Sequence, residues 1–553
     1  MPASLSPVPR RRLMGPRFVL HIHSHRAMTT SIMRRVEGEL TCWSTLAQRW
    51  SRAVVSAGDA TFLEFERRGG EIAAWSYQEF AGVVEQARRA IAGAGVRQSD
   101  RIQLVLPNCP AFIAVMLAAA QSGVTFLSSD PRSTGEELGR QAARVKPTLI
   151  VCGPEQIEAY GDSDLLAPVI VVDPDDMTFS SLRSDAQHDL DVVSPAPLDT
   201  LGLMFTSGTT SLPKIVEITQ ANYAFAGDVM AAAAGLRRGS RFLVVLPLFH
   251  ANAQYYSVSG SISVGGTVIL MAAFSASRFL QQAERFRATH ASLFGAPIRM
   301  ILARAEPVPL SQPLEHLWFS QNLTDDEYDR FVGLVGCRPR QIYGMTETSP
   351  AVLMSRRLDP PKTTIGTPTP GCHVRLRDPE TGGPVDIDQV GEIQVGGYPG
   401  LSLFAGYRDN EAAFTGAIAS ESDDGFVWFR TGDLGRLDSD GEVTFVGRGG
   451  DILKVAGENV SVVEIESMLV EHPDVLDAAV IGIPDPLRDE VPVAFVVLAG
   501  ELPPTLADDL MKWCEQRLSG PRLPRAIHIV DELPRTAVGK IQRFRLKAGL
   551  TVE

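Results

Sequence analysis

Clustered cysteines are missing from this chain. Its six (Cys42, Cys109, Cys152, Cys337, Cys372 and Cys514) are scattered over 553 residues without a C-x-x-C pair. That fits a reduced, cytoplasmic protein better than a disulfide scaffold or a cysteine-built zinc site. Long apolar runs are missing as well. The longest helix-like one, near Ala111 to Ala120, falls far short of the roughly 18 residues of a membrane span. Positive charge is in deficit, with 52 Lys+Arg against 65 Asp+Glu and a net charge of -13. This argues against nucleic acid as a main partner, although a nucleotide needs only a local cluster of donors. Acidic residues, in turn, are absent from the first 36 positions, which carry Arg10, Arg11, Arg12, Arg17, Arg26, Arg34 and Arg35. Arg17, His21, His23 and His25 interrupt any apolar signal core, so residues 1–40 are expected to form a disordered basic extension. Met28 is the expected true start; a native N-terminal peptide upstream of it overturns that expectation. Internal repeats and long low-complexity segments are also absent.

What is present is an ordinary soluble composition, 44% hydrophobic and 21% charged, with enough apolar mass for large cores. The length suggests roughly two to four structural units. Short β-rich runs alternate with helical stretches. Ile102–Leu106 reads as a strand, Pro110–Gln121 as a buried helix and Val124–Leu127 as a strand. Thr148–Val151, Val169–Val172, Phe242–Leu246 and Thr267–Met271 read as further strands. This spacing predicts α/β layering with mostly parallel sheets. From about Gly366, short strands such as Glu392–Val395 and Val443–Val446 predict a smaller β-rich subdomain. After Gly449-Gly450, a pair suited to a swivel, the pattern predicts a compact α+β tail. Its helices are Ser461–Val470 and Thr505–Leu518, and its strands Ala478–Ile483, Val493–Leu498 and Ala526–Val530.

The densest chemistry lies at residues 204 to 216, Met-Phe-Thr-Ser-Gly-Thr-Thr-Ser-Leu-Pro-Lys-Ile-Val. Thr206, Ser207, Gly208, Thr209 and Thr210 stand between two strand-like runs, and Lys214 follows. Such a loop can wrap a polyphosphate: Gly208 admits close approach, amides and hydroxyls donate, and Lys214 adds positive charge. It is not a Walker A loop, because Pro213 stands where glycine must precede the lysine. The same residues also suit a solvated hairpin. In Tyr343-Gly344-Met345-Thr346-Glu347-Thr348, Tyr343 can stack on a base, Thr346 donate to a phosphate and Glu347 hold Mg²⁺; a loop with an exposed acid is the plainer reading. Asp433, in Arg430-Thr431-Gly432-Asp433, suits ribose hydroxyls or an Asx-turn. Arg448 suits a ribose and phosphate contact or a surface charge. Lys540, in Pro534-Arg535-Thr536-Ala537-Val538-Gly539-Lys540, reads alone as a solvated cation.

In their order along the chain, these motifs resemble the adenylate-forming superfamily of acyl-CoA synthetases, peptide-synthetase adenylation domains and beetle luciferases. The set is Thr-Ser-Gly-Thr-Thr…Pro-Lys, Tyr-Gly-Met-Thr-Glu, Arg-Thr-Gly-Asp, Gly-Arg…Gly-Glu-Asn and Pro-Arg…Gly-Lys, from about residue 43 to residue 547. The resemblance implies an α/β fold: a large N-terminal domain of two packed α/β sheet units plus a β-barrel-like subdomain, then a small mobile α+β C-terminal domain. The expected division is 41–446 for the AMP-binding domain, 447–452 for the hinge and 453–553 for the mobile domain. A narrower likeness, to carnitine/crotonobetaine–CoA ligase-like enzymes, rests on four features. They are Ser211, Ser320-Gln321-Asn322-Leu323-Thr324, Gly457-Glu458-Asn459-Val460-Ser461 and Pro247-Leu248-Phe249-His250. Gly450 at the hinge, where many relatives carry Asp or Lys, and Ile215, where glycine is common, depart from the family pattern.

The resemblance implies ATP-dependent conversion of a carboxylic acid to an acyl-adenylate with loss of pyrophosphate, then transfer to CoA. It implies that the Thr206–Lys214 loop holds the β- and γ-phosphates, Glu347 ligates Mg²⁺ and Thr346 touches a phosphate. Tyr343, with Gly344, is expected at adenine, and Asp433 and Arg448 at the ribose. Lys540 is expected between the substrate carboxylate and the α-phosphate. His250, Phe249, Phe294, Gly295 and Ala296 are expected around the acyl group, and Gly457 beside the pantetheine arm. Asn252, Gln254 and Tyr255 are weaker pocket candidates. A quaternary ammonium substrate would need aromatic faces, for which Tyr255 and Tyr256 are available. Two alternatives remain: adenylation with another acceptor, such as a carrier-protein thiol or nitrite against an aromatic amine, and a non-catalytic nucleotide-binding homologue.

Overall fold

Short buried strands separated by helix-length connections can pair in parallel only if each helix crosses over a sheet face. The computed structural model shows this arrangement twice. It describes residues 43–160, 167–183, 194–206, 213–306, 308–321, 323–355, 364–448, 452–455, 458–485, 489–500, 506–518, 520–535 and 541–550. A first sheet has a parallel core of Thr200–Thr206, Thr125–Ser128, Arg101–Val105, Leu149–Cys152 and Val169–Val171. Lys214–Thr219 and Gly406–Tyr407 extend one edge antiparallel. The helix Pro110–Ser122 is buried on nearly every side, which its unbroken apolar sequence requires. Pro110 opens it where no amide is needed, and Gly123, at φ 62°, closes it in the left-handed region.

The second sheet is parallel from Thr61–Glu66 through Thr267–Met271, Arg241–Val244, His290–Phe294 and His316–Ser320 to Arg340–Tyr343. It then runs without a break, through Leu353–Met354 and Thr364–Pro368, into the antiparallel strands Val443–Arg448, Val427–Leu437, Val390–Gly397 and His373–Arg377. The β-rich unit is therefore an extension of this sheet. Among the described residues it does not close into a barrel. Register shifts at Thr364/Gly366, Glu392/Gln394 and Leu434/Gly435 bend it. Gly366 cannot be replaced there: at φ +88° an added Cβ would lie 2.1 Å from the Met354 carbonyl carbon.

The tail forms a third sheet, with Val475–Asp485, Asp489–Leu498, Ile452–Val455 and Glu458–Ser461 in sequence and Ala526–Ile529 on the side. The predicted helix beginning at Ser461 spans Val462–Val470, and the Ser461 hydroxyl caps it by accepting from the Glu464 amide. Predicted and observed strand ends agree at Thr267–Met271; elsewhere they differ by a few residues because pairing sets where a strand stops.

One buried pair makes the fold acid-sensitive. His290 and His316 lie opposite each other on adjacent parallel strands. Burial first, then the charges of His290 and Arg340, push the His316 imidazole down to about 3 from the usual 6.5. An unfolded chain takes up a proton below about pH 6.5 that the folded chain refuses until about pH 3, so stability is full above that window and falls as pH drops through it. Unfolding measured at pH 7 and pH 5 should show a loss of about 2 kcal/mol from this group. His316→Phe should recover most of that loss; an unchanged pH dependence refutes the assignment.

Candidate active site

In parallel α/β sheets, ligands bind beyond the carboxyl ends of the strands, where loops diverge. Ser128, Thr206, Phe294, Ser320 and Tyr343 are each the last residue of such a strand. Their ends face a cavity of about 960 Å³. Thr206, Lys214, Phe249, His250, Phe294, Gly344, Thr346, Glu347 and Arg448 all line it, bringing together motifs more than two hundred residues apart. Arg535, Gln542 and Arg545 from the tail close another side.

Thr206 and Lys214 are paired on adjacent antiparallel strands. Ser207, Gly208, Thr209 and Thr210 lie outside the described residues, as do Ser211, Gly450, Gly457 and Lys540. Arg144 donates to the Pro213 carbonyl at 2.7 Å and lies over the Phe205 ring, bracing this end of the strand pair. Ile215, the departure after Lys214, is buried in a small core with Leu127, Val145 and Leu203.

Glu347 sits on the short turn Thr346–Thr348 and is only 5% exposed, so the loop-with-an-exposed-acid reading fails. Tyr407 donates its hydroxyl to Glu347 Oε1 at 3.0 Å. Among the described residues no group of three or more His, Cys, Asp or Glu side chains is placed to hold a metal. A hard cation at Glu347 would complete its shell with phosphate and water oxygens, which is how Mg²⁺ is ordinarily held with one or two carboxylates. The donor set therefore fits Mg²⁺ arriving with a nucleotide. Gly344 has its own steric reason. A Cβ there would come within 2.9 Å of Ala351 Cα, 3.0 Å of the Pro350 carbonyl and 3.1 Å of the Tyr256 hydroxyl.

Tyr343 and Asp433 stand just behind the cavity wall. The Tyr343 hydroxyl donates to Asp433 Oδ2 at 2.7 Å, and Arg448 Nε donates to Oδ1 at 2.8 Å. Asp433 and Arg448 are directly paired on adjacent antiparallel strands, which explains how residues of two separate motifs meet. Burial, then the Asp433 charge, holds the Tyr343 hydroxyl well above the ordinary phenol range, so it stays a donor. The Asp433 backbone amide donates to Thr431 Oγ1, so Thr431 closes the local turn, while the Asp433 carboxylate accepts from Tyr343 and Arg448.

Of the acyl-pocket candidates, Phe249, His250 and Phe294 face the cavity, while Gly295 and Ala296 continue into the helix Gly295–Arg304 behind it. The stretch Asn252–Val258 is a π-helix, wider than an α-helix by one residue per turn. It turns Asn252 and Tyr256 to the cavity. Gln254 and Tyr255 point into the core instead. Gln254 bridges the Tyr223 hydroxyl and the Leu248 carbonyl, and Tyr255 packs edge-on against Tyr223. Ser320 lines the cavity, whereas Thr324 caps the helix Asp325–Val335. Tyr407, Arg132 and Glu392 line the cavity without having been singled out by any motif. No local pattern marks them, because each depends on which strand edge or loop its neighbours build.

A family model described as AMP-binding enzyme matches residues 50–408, and one described as AMP-binding enzyme C-terminal domain matches residues 464–540. The chain is 32% identical to a crotonobetaine/carnitine–CoA ligase of Salmonella paratyphi C over 519 residues, 91% of this chain and 98% of that protein. It is likewise 32% identical to the protein of that name from Escherichia coli O139:H28, over 91% of this chain and 98% of that one. A benzoate CoA ligase from Burkholderia xenovorans LB400 superposes with a TM-score of 0.79 at 25% identity, covering 91% of this chain and 99% of that one. The anthranilate CoA ligase AuaEII, solved with anthranoyl-AMP, shares the fold with a TM-score of 0.81 at 23% identity, over 92% and 98% of the two chains.

Proposed function

This chain belongs to the AMP-binding enzyme family, and we propose on that footing that it is an AMP-forming acid–CoA ligase. The carrying observation is the single cavity onto which Thr206, Lys214, Thr346, Glu347, Arg448 and the aromatic side chains Phe249 and Phe294 converge. The acid's carboxylate attacks the α-phosphate of ATP, the bond to the β-phosphate breaks and pyrophosphate leaves. The thiol of CoA then attacks the acyl carbon, and AMP departs with its electron pair while the thiol proton is released.

In this reading Thr206 and Lys214 grip the outgoing pyrophosphate, and Thr346 donates to a phosphate oxygen. Glu347 holds the Mg²⁺ that offsets phosphate charge when bound. Tyr343 and Asp433 back the adenosine wall, with Arg448 reaching the ribose. Phe249, His250, Tyr256 and Phe294 surround the acyl group. Lys540 bridges carboxylate and α-phosphate in the first half-reaction. The hinge at 447–452 lets the domain 453–553 move relative to 41–446 between half-reactions, and Gly457 clears the pantetheine path. No helix among the described residues is long and apolar enough to cross a membrane. The five described cysteines are unpaired, which supports the proposal of a cytoplasmic enzyme.

The substrate we favour is a short acid of the carnitine or crotonobetaine type, supported by the 32% identity to ligases of that name. Phe294 and Tyr256 line the cavity and are the aromatic side chains proposed to meet a quaternary ammonium, since the Phe249 ring already lies under the Arg132 guanidinium at 5.9 Å. A panel of carboxylic acids, scored by pyrophosphate release with and without CoA, tests both levels. Release dependent on a betaine acid, with its CoA thioester found by mass, is expected. Acid-dependent release without any thioester points to a carrier protein or another acceptor and overturns the CoA assignment.

A further inference from the structure

Tyr407 touches two charged groups of the cavity at once. Its hydroxyl donates to Glu347 Oε1 at 3.0 Å, and Lys214 Nζ lies 4.5 Å from the centre of its ring. Several constraints hold it there. Gly406–Tyr407 pairs with the strand that Lys214 begins, setting Tyr407 opposite Val216. Phe404 packs edge-on against the ring at 5.0 Å, and the Phe404 amide donates to the Glu347 carbonyl at 3.1 Å. The turn before it is fastened to the helix Gln220–Ala234, because Thr219 donates to the Gly400 carbonyl and Asn222 to those of Leu401 and Leu403.

We propose that Tyr407 is a positioning residue that sets Glu347 and Lys214 in register for the metal-bound phosphates of the nucleotide. The inference rests on the adenylating reading above. A donor on one carboxylate oxygen restrains rotation of the group and so sets its orientation. A ring face attracts an ammonium without neutralising it, so the flexible lysine stem is steered while its full charge remains available to phosphate. A carboxylate at position 407 would do neither.

ATP binding followed by calorimetry through a Mg²⁺ titration, with no acid present, tests this without turnover. Tyr407→Phe keeps the ring and loses the hydroxyl. It should raise the Mg²⁺ midpoint about 10-fold, within the span seen for partners that orient metal ligands, and leave ATP affinity at saturating Mg²⁺ unchanged. Tyr407→Leu should show the same midpoint shift and bind ATP roughly 2–5-fold more weakly even at saturating Mg²⁺. A Phe variant with the unmutated midpoint overturns the proposal, as does a lowered melting temperature with no change in Mg²⁺ dependence. Mg²⁺-independent ATP binding by the unmutated protein instead overturns the adenylating reading itself.

Discussion

Lys540→Ala should slow acyl-adenylate formation by about 10²–10³-fold, equivalent to roughly 2.7–4 kcal/mol of transition-state stabilisation. Thioester formation from preformed acyl-AMP should be spared. The first step brings a carboxylate onto a polyphosphate, and a cation between two anions is worth most where water is excluded. The second step joins a thiol to an activated acyl group and has no such repulsion to offset. The residues flanking the lysine's segment are anchored to the tail's own sheet and helix. Arg535 pairs with Asp477 and forms a strand bridge with Ile541, while Arg543 donates to both Glu466 oxygens at 2.7 and 2.8 Å. The nearby Arg535, Gln542 and Arg545 already face the cavity. Pyrophosphate release and single-turnover thiolysis, measured separately, decide the matter. Equal loss in both half-reactions refutes a role confined to the first.

Glu347→Gln should have an effect of similar size on adenylation, about 10²–10³-fold, by the same charge-stabilisation scale. The substitution keeps shape and an acceptor for the Tyr407 hydroxyl, so the turn Thr346–Thr348 and its backbone bond from Phe404 should survive. What it removes is the anionic oxygen that a hard cation requires. Pyrophosphate release at graded Mg²⁺ should therefore fall most at low Mg²⁺, while the melting curve stays close to that of the unmutated protein. Near-normal release at limiting Mg²⁺ would falsify the assignment of Glu347 as the cation's ligand.

Much of the local structure was readable before folding. Pro110 and Gly123 mark the ends of an all-apolar helix because ring closure and a left-handed φ have local causes. Thr267–Met271 is a strand in sequence and in space. The Thr206–Lys214 and Tyr343–Thr348 segments stand out in the sequence for a similar reason: each packs several donors or turn formers into a few residues. Adjacent Tyr255 and Tyr256 show where legibility ends. Both were aromatic candidates for the pocket, yet a π-helix sends one to the core and the other to the cavity. Tyr343 and Asp433 likewise carry recognisable motifs but bind each other behind the wall.

By itself the sequence determined the α/β layering, the small α+β tail and where the donor-rich, turn-forming segments lie along the chain. Those follow from short-range periodicity, turn chemistry and charge, which act over a few residues. The tertiary structure alone decided that the β-rich unit joins the larger sheet, that Asp433 faces Arg448, and that Tyr407 stands between Glu347 and Lys214. Such meetings depend on strand order and register across long separations, where a shift of one residue reverses which face a side chain occupies.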